Sequence, residues 1–156
     1  MPITFHTADI KFSLRNKIAL RRFITNQIAQ SSNYQTIKLS FVFCSDEYLL
    51  SINRQFLNHD YYTDIITFPL SDSKEHLEAE IYISIDRVKE NSQKFKPKNS
   101  KVKSKLNIAS PADELDELHR VMFHGVLHLL GFKDKNKSNR LEMRKMEDKW
   151  INQFKN

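Results

Sequence analysis

Almost every side chain between Val121 and Leu130 is apolar, and the exceptions are two histidines, His124 and His128. A helix that is apolar on nearly all sides has no face to show to water and must be buried. At 100° per residue the two imidazoles stand about 40° apart on one face, one turn from each other. Left unpaired in apolar surroundings, a polar group of this kind loses roughly 2–7 kcal/mol of solvation. The stretch therefore constrains the chain twice. It has to run through a core, and it has to bring partners for two polar rings into that core. A shared cation is one such partner, because neutral imidazole offers a lone pair. Backbone carbonyls, or Glu117 and Arg120 earlier on the same helix face, are the alternative.

The residues that follow favour the cation. Gly131 stands three residues after His128. Glycine at a helix end readily takes the left-handed conformation that stops the helix and turns the chain. The turned chain can bring Asp134 back toward the imidazoles. The pattern H-x3-H-x2-G-x2-D parallels the H-E-x-x-H-x-x-G-x-x-H spacing of zinc peptidases, with an aspartate in the third ligand position. Three protein ligands (His124, His128 and Asp134) leave a fourth position open, as a catalytic zinc site requires. Zinc peptidases take their general base from the Glu that follows the first histidine. Here that position is Gly125, so the metal scaffold is present without the usual base.

The rest of the chain supplies layers to bury this helix. Residues 2–7 read as a short strand, and a helix follows from Ser13, as N-cap, to about Gln30, with Leu20, Phe23, Ile24 and Ile28 on one stripe. From Thr36 to Phe43 strict alternation puts Ile37, Leu39, Phe41 and Phe43 on one face of a strand. Ser45 and Asp46 open a helix carrying Leu49, Ile52 and Phe56. Asp64 to Phe68 reads as a strand stopped by Pro69, and Glu78 to Ile85 as another. Residues 86–95 read as a polar helix, about 96–110 as a Lys/Asn/Ser loop, and two helices follow, from about Pro111 to Leu130 and from about Ser138 to Phe154. The alternation predicts one α/β (α+β layered) domain over residues 1–156, with a mixed sheet of about four strands flanked by helices and a zincin-like metal helix.

Composition excludes several classes. One cysteine, Cys44, cannot form an intrachain disulfide. Two glycines leave no room for either glycine-rich phosphate cradle. No run approaches 18 apolar residues, and the start of the chain lacks the basic and apolar segments of a signal peptide, so neither membrane nor export is expected. The net charge of +6 is concentrated. Residues 87–105 carry eight basic side chains and one acid, Glu90. Lysines that neutralise phosphates release condensed counterions, so Lys96, Lys98, Lys101, Lys103 and Lys105 are candidate nucleic-acid contacts. The alternative is a solvated surface loop that contributes solubility. Phe95 alone interleaves the run, which gives base stacking there little support.

The stretch from His124 to Phe132, HGVLHLLGF, resembles the HGxLHLxG[YF] signature of the YbeY family, metal-dependent endoribonucleases of ribosomal RNA maturation. Asn53 through Thr63-Asp64-Ile65-Ile66-Thr67-Phe68 is similar to the family's LN…TDVLSF strand, and Glu80-Ile81-Tyr82-Ile83-Ser84 to its GDIxIS strand. Glu142-Met143 and Glu147 fall where the family has an E-M…E helix. The resemblance spans about residues 45–150. It implies an α/β fold with one divalent metal, Zn2+ foremost, and single-stranded RNA as substrate. It also implies a role with the ribosome, in rRNA maturation and quality control, in the cytoplasm. Where the family has a third histidine ligand, this chain has Asp134, which adds negative charge and makes a bound water less acidic. Where the family often has an arginine, two residues before His59, this chain has Leu57. Arg120, one turn before His124 on the same face, is expected to stand in as the phosphate-facing cation.

The expected chemistry is metal-assisted hydrolysis of a phosphodiester. Arg120 and the loop lysines would neutralise phosphates, and Asp64 is a candidate for handling a proton. Attack by the RNA 2′-OH, leaving a cyclic phosphate, is the variant of this scheme. Two rivals stand beside it. A non-catalytic, zinc-stabilised ribosome or RNA assembly factor would need a closed site, with His119, His76 or Cys44 as fourth ligand. A metallopeptidase would need the base that Gly125 does not provide.

Overall fold

The computed structural model describes residues 2–94 and 111–156. Its elements are β1 (Ile3–Thr7), α1 (Lys17–Ser31), β2 (Thr36–Cys44), α2 (Asp46–Leu57), β3 (Ile65–Pro69), β4 (His76–Ser84), α3 (Ile85–Lys94), α4 (Pro111–Leu129) and α5 (Lys137–Lys155). The four strands form one sheet in the order β1-β2-β4-β3. β1, β2 and β4 run parallel, and β3 is antiparallel to β4. The mixed α/β sheet flanked by helices is thus the architecture that the strand and helix periodicities predict. The lysine loop, and with it Lys96, Lys98, Lys101, Lys103 and Lys105, lies outside the described residues.

Period-two patterning fixes which face of the sheet is covered. Leu39, Phe41 and Phe43 of β2 and Leu77, Ala79, Ile81 and Ile83 of β4 are buried in the main core with α1 and α4. Phe23, Phe123, Trp150 and Phe154 lock α1, α4 and α5 together, with ring centroids 5.3–6.2 Å apart. The opposite face carries a smaller cluster of Cys44, Leu49, Ile52 and Ile66 under α2. Adjacent residues of β3 therefore serve opposite layers: Ile65 packs toward the main core and Ile66 toward α2.

Some details differ from the sequence reading. α1 starts at Lys17 and not at Ser13, because Asn16 makes the entry turn in the left-handed region, with φ 59°. Leu14, just before it, is buried. β3 begins at Ile65, which leaves Asp64 on the segment entering the strand, where its carbonyl accepts from the Ser84 N–H at 3.0 Å. Phe56 does not share the burial of Leu49 and Ile52. It stays 63% exposed, edge-on to Phe68. Ser45 does cap α2, accepting from the Tyr48 N–H. Among the described residues no helix is long and apolar enough to cross a membrane.

Helix α4 approaches the sheet closely at Gly125. A Cβ there would lie 2.9 Å from Ile65 Cδ1 and 3.0 Å from Ile81 Cδ1. The residue after the first histidine thus lies against side chains of β3 and β4. A larger residue there would have to displace the Ile65 and Ile81 side chains. Gly125→Ala is expected to destabilise the fold by about 1–3 kcal/mol through overpacking. Urea unfolding should show a lower midpoint with an unchanged slope.

Candidate metal centre

The end of α4 is built by a helix-stop motif. The Phe132 N–H donates to the Leu127 carbonyl at 3.0 Å and the Gly131 N–H to the His128 carbonyl at 3.1 Å. Gly131 itself has φ +102°. This is the Schellman arrangement, which needs a left-handed residue at that position and which glycine adopts without penalty. The turn directs the chain back, and Asp134 Oδ2 comes within 3.3 Å of both His124 Nε2 and His128 Nε2. The two imidazole rings stand 4.6 Å apart at 83°.

The other nitrogen of His124 faces a helix whose role in the site the sequence reading did not assign. His124 Nδ1 is 2.7 Å from Glu147 Oε2 on α5. A buried carboxylate only accepts, so the hydrogen-bond network assigns the proton to Nδ1 and the lone pair to Nε2. That lone pair points at a carboxylate oxygen. Two acceptors 3.3 Å apart repel unless a proton or a cation lies between them. The three ligand atoms of His124, His128 and Asp134 lie within 4.8 Å of one another. Two imidazoles and a carboxylate are a donor set that divalent ions, zinc among them, accept. A carboxylate that holds the far nitrogen of a ligating histidine is also a recurrent feature of such centres. The residues present fit a divalent metal.

Charge around the triad is closely arranged. Burial pulls the His124 imidazolium down, but the hydrogen bond and charge of Glu147, with Asp134 and Asp64, outweigh it and raise the pKa. Arg120 donates to Glu147 at 3.1 Å and to Asp148 at 2.7 Å. Burial opposes its charge, and those two carboxylates more than compensate. Arg120 therefore holds Glu147, which in turn holds His124. Asp64 is half-buried, and desolvation raises its carboxyl above the usual range against the opposing charge of His124. Glu117 is lifted to about 7, chiefly by burial.

Two clefts meet at the triad. The first, of about 380 Å³, is walled by Arg120, Arg140, Arg144, Glu117 and Glu147. The second, of about 670 Å³, is walled by Tyr34, Leu57, His59, Tyr61 and His128. Asp64, His124 and Asp134 line both. The structure thus brings His124, His128 and Asp134 together and sets Asp64 and Arg120 beside them. Among the described residues no fourth ligand joins the group. Cys44 is buried in the cluster under α2, its thiol pushed up to about 12 by burial. His76 pairs with Thr36 at 2.5 Å, and His119 stacks among Phe123 and Phe154.

Glu147 is the functional candidate whose part in the site the sequence reading missed. A signal for it was present: Met143, Glu147, Trp150 and Ile151 form the buried stripe of α5, and an acid on such a stripe requires a partner.

The family model described as Endoribonuclease YbeY matches residues 2–155. The chain belongs to the YbeY family. It is 47% identical over 146 residues to Endoribonuclease YbeY of Cytophaga hutchinsonii, covering 94% of this chain and 91% of that protein. With the Bacteroides thetaiotaomicron protein of the same name the identity is 36%, covering 96% of each. The solution structure of a Thermotoga maritima protein superposes with a TM-score of 0.58 at 26% identity, over 97% of this chain and 88% of that one. The YbeY resemblance seen in residues 45–150 thus extends over nearly the whole chain.

His119 gives this YbeY-family chain a specific acid sensitivity. Its Nε2 is buried without a hydrogen-bond partner, and burial lowers its pKa from 6.5 to about 4. Above pH 6.5 the ring is neutral folded and unfolded, so its contribution to stability is constant there. As pH falls from 6.5 toward about 4, only the unfolded chain takes up the proton, and stability is lost. His119→Phe keeps the aromatic packing and removes the proton site. Its melting temperature is expected to exceed the wild-type value, with the gap widening between pH 6.5 and 4.

Proposed function

We propose that this YbeY-family chain is a metal-dependent endoribonuclease. In this reading it hydrolyses phosphodiester bonds of single-stranded RNA in ribosomal RNA maturation and ribosome quality control, in the cytoplasm, as one domain over residues 1–156. The observation that carries the reading is the convergence of three potential ligand atoms, from His124, His128 and Asp134, where two clefts meet. Family membership supplies the reaction class, and relatives named Endoribonuclease YbeY support it.

His124, His128 and Asp134 would hold one divalent ion, Zn2+ as first choice. When bound, such an ion polarises a phosphoryl oxygen and lowers the pKa of water. Glu147 keeps the proton on His124 Nδ1 and so keeps Nε2 free as a ligand. Arg120 is a positioning residue for Glu147, because its guanidinium already answers Glu147 and Asp148. Asp64 lines both clefts, and its raised pKa suits a group that takes and returns a proton near the scissile phosphate. Phosphates of the strand would be met by the arginine-bearing cleft and by Lys96, Lys98, Lys101, Lys103 and Lys105. Gly125 has no side chain to act as a peptidase base, and Ile65 and Ile81 fill the space one would need.

The test is cleavage of single-stranded RNA by the purified chain, with and without chelator, beside His124→Ala. Cleavage that chelator abolishes and the variant lacks is the expected result. Binding without cleavage would replace the nuclease by an assembly factor, and hydrolysis of peptides alone would replace it by a peptidase. Glu147→Ala should weaken divalent-metal affinity about 10–100-fold. Arg120→Ala should weaken it in the same direction by less, as read by calorimetric titration of the metal without RNA.

A further inference from the structure

The two clefts that meet at the triad differ in chemistry. Arg120, Arg140 and Arg144 face the first. Among the described residues that line the second there is no lysine or arginine. Its wall instead carries Tyr34, His59 and Tyr61 beside His128 and Asp134. His59 and Tyr61 are stacked on each other, with ring centroids 5.1 Å apart and planes 21° apart. The Tyr61 hydroxyl lies 2.9 Å from His59 Nδ1, and Tyr61 remains 57% exposed.

This pair does not sit on a loose loop. Asn53 on α2, only 1% exposed, donates its Nδ2 to the Tyr61 carbonyl at 2.8 Å. The Asn53 carbonyl accepts from the His59 N–H at 3.1 Å. Arg54 and Asp60 close the same turn with an ion pair at 2.5 Å. Asn53, through its buried side-chain amide and its backbone carbonyl, thus anchors the backbone that carries two stacked aromatic rings at the edge of a cleft that opens onto the candidate metal centre. Exposed aromatic faces held rigidly beside a nucleic-acid site are what a nucleobase stacks on, and they serve any base because every base has a π-face. A wall without lysine or arginine gives a phosphate no permanently charged partner.

We propose that the Tyr61–His59 pair is a nucleobase subsite: one base of the RNA strand stacks on it while the adjoining phosphates face the arginine-bearing cleft. The subsite rests on the endoribonuclease reading for its ligand, and it adds a direction to the strand across the triad. Leu57 lines the same cleft. Its apolar side chain belongs with a wall that receives a base.

The experiment measures binding of a fluorescein-labelled ten-nucleotide RNA to the full chain in chelator, so that no cleavage intervenes. A companion series carries one abasic nucleotide, moved position by position along the strand. In the wild type one abasic position should weaken binding about tenfold. Tyr61→Ala should weaken binding of intact RNA by a similar factor and should be indifferent to that abasic position, while Tyr61→Phe keeps both properties. His59→Ala should show a partial version of the Tyr61→Ala effect. Tyr61→Ala that binds intact RNA like the wild type, or that keeps the full abasic penalty, overturns the subsite. The same proteins, assayed for cleavage with metal, separate the two readings. An abasic penalty that needs Tyr61 in a chain that cuts no RNA supports the subsite and rejects the nuclease. Cleavage with a penalty unchanged by Tyr61→Ala rejects the subsite and leaves the nuclease standing.

Discussion

Three side chains that can each offer a metal-ligand atom, His124, His128 and Asp134, converge at the end of α4. His124 Nε2 and His128 Nε2 each lie 3.3 Å from the same oxygen of Asp134. Much of the surrounding fold serves to hold this arrangement. Gly131 stops the helix and returns the chain so that Asp134 arrives. Gly125 lets α4 settle against β3 and β4, which fixes the height of both imidazoles above the sheet. α5 brings Glu147 to the far side of His124 and thereby decides which ring nitrogen carries the proton. A cation placed among these atoms would satisfy all three side chains at once, and this constraint gives the site its meaning.

The order of charges around the site follows from the same need. Glu147 is 5% exposed and would be costly to bury alone. Arg120 answers it from α4, and Asp148 answers the second half of the guanidinium from the surface. The result is a chain of polar contacts, Asp148–Arg120–Glu147–His124, that orients the His124 ring. The sequence reading placed Arg120 near the site as a cation facing phosphate. The geometry gives it a carboxylate to hold first, and leaves Arg140 and Arg144 on the same cleft wall.

Local periodicity made most of the fold legible. Alternation in β2 and β4 identified both central strands, and the apolar run around His124 and His128 identified the helix that they bury. Asp134 was legible because glycine three residues after a ligand predicts a reversal of the chain. The misplaced start of α1 arose from Asn16, whose left-handed turn competes with the capping signal of Ser13. Glu147 and the Tyr61–His59 pair escaped for a different reason. Their roles depend on which elements pack side by side, and neither the distance from α5 to α4 nor the link from Asn53 to Tyr61 leaves a period in the sequence. Family resemblance located the helix of Glu147 without saying what the residue does there.

Metal content of freshly purified protein, by elemental analysis beside Asp134→Asn, tests the central claim most directly. Asparagine keeps the size of the side chain and removes the charge that closes the triad. The account predicts about one divalent ion per wild-type chain and a large loss in the variant. Wild-type protein that neither contains nor takes up a divalent ion, or a variant that retains the full complement, would contradict it.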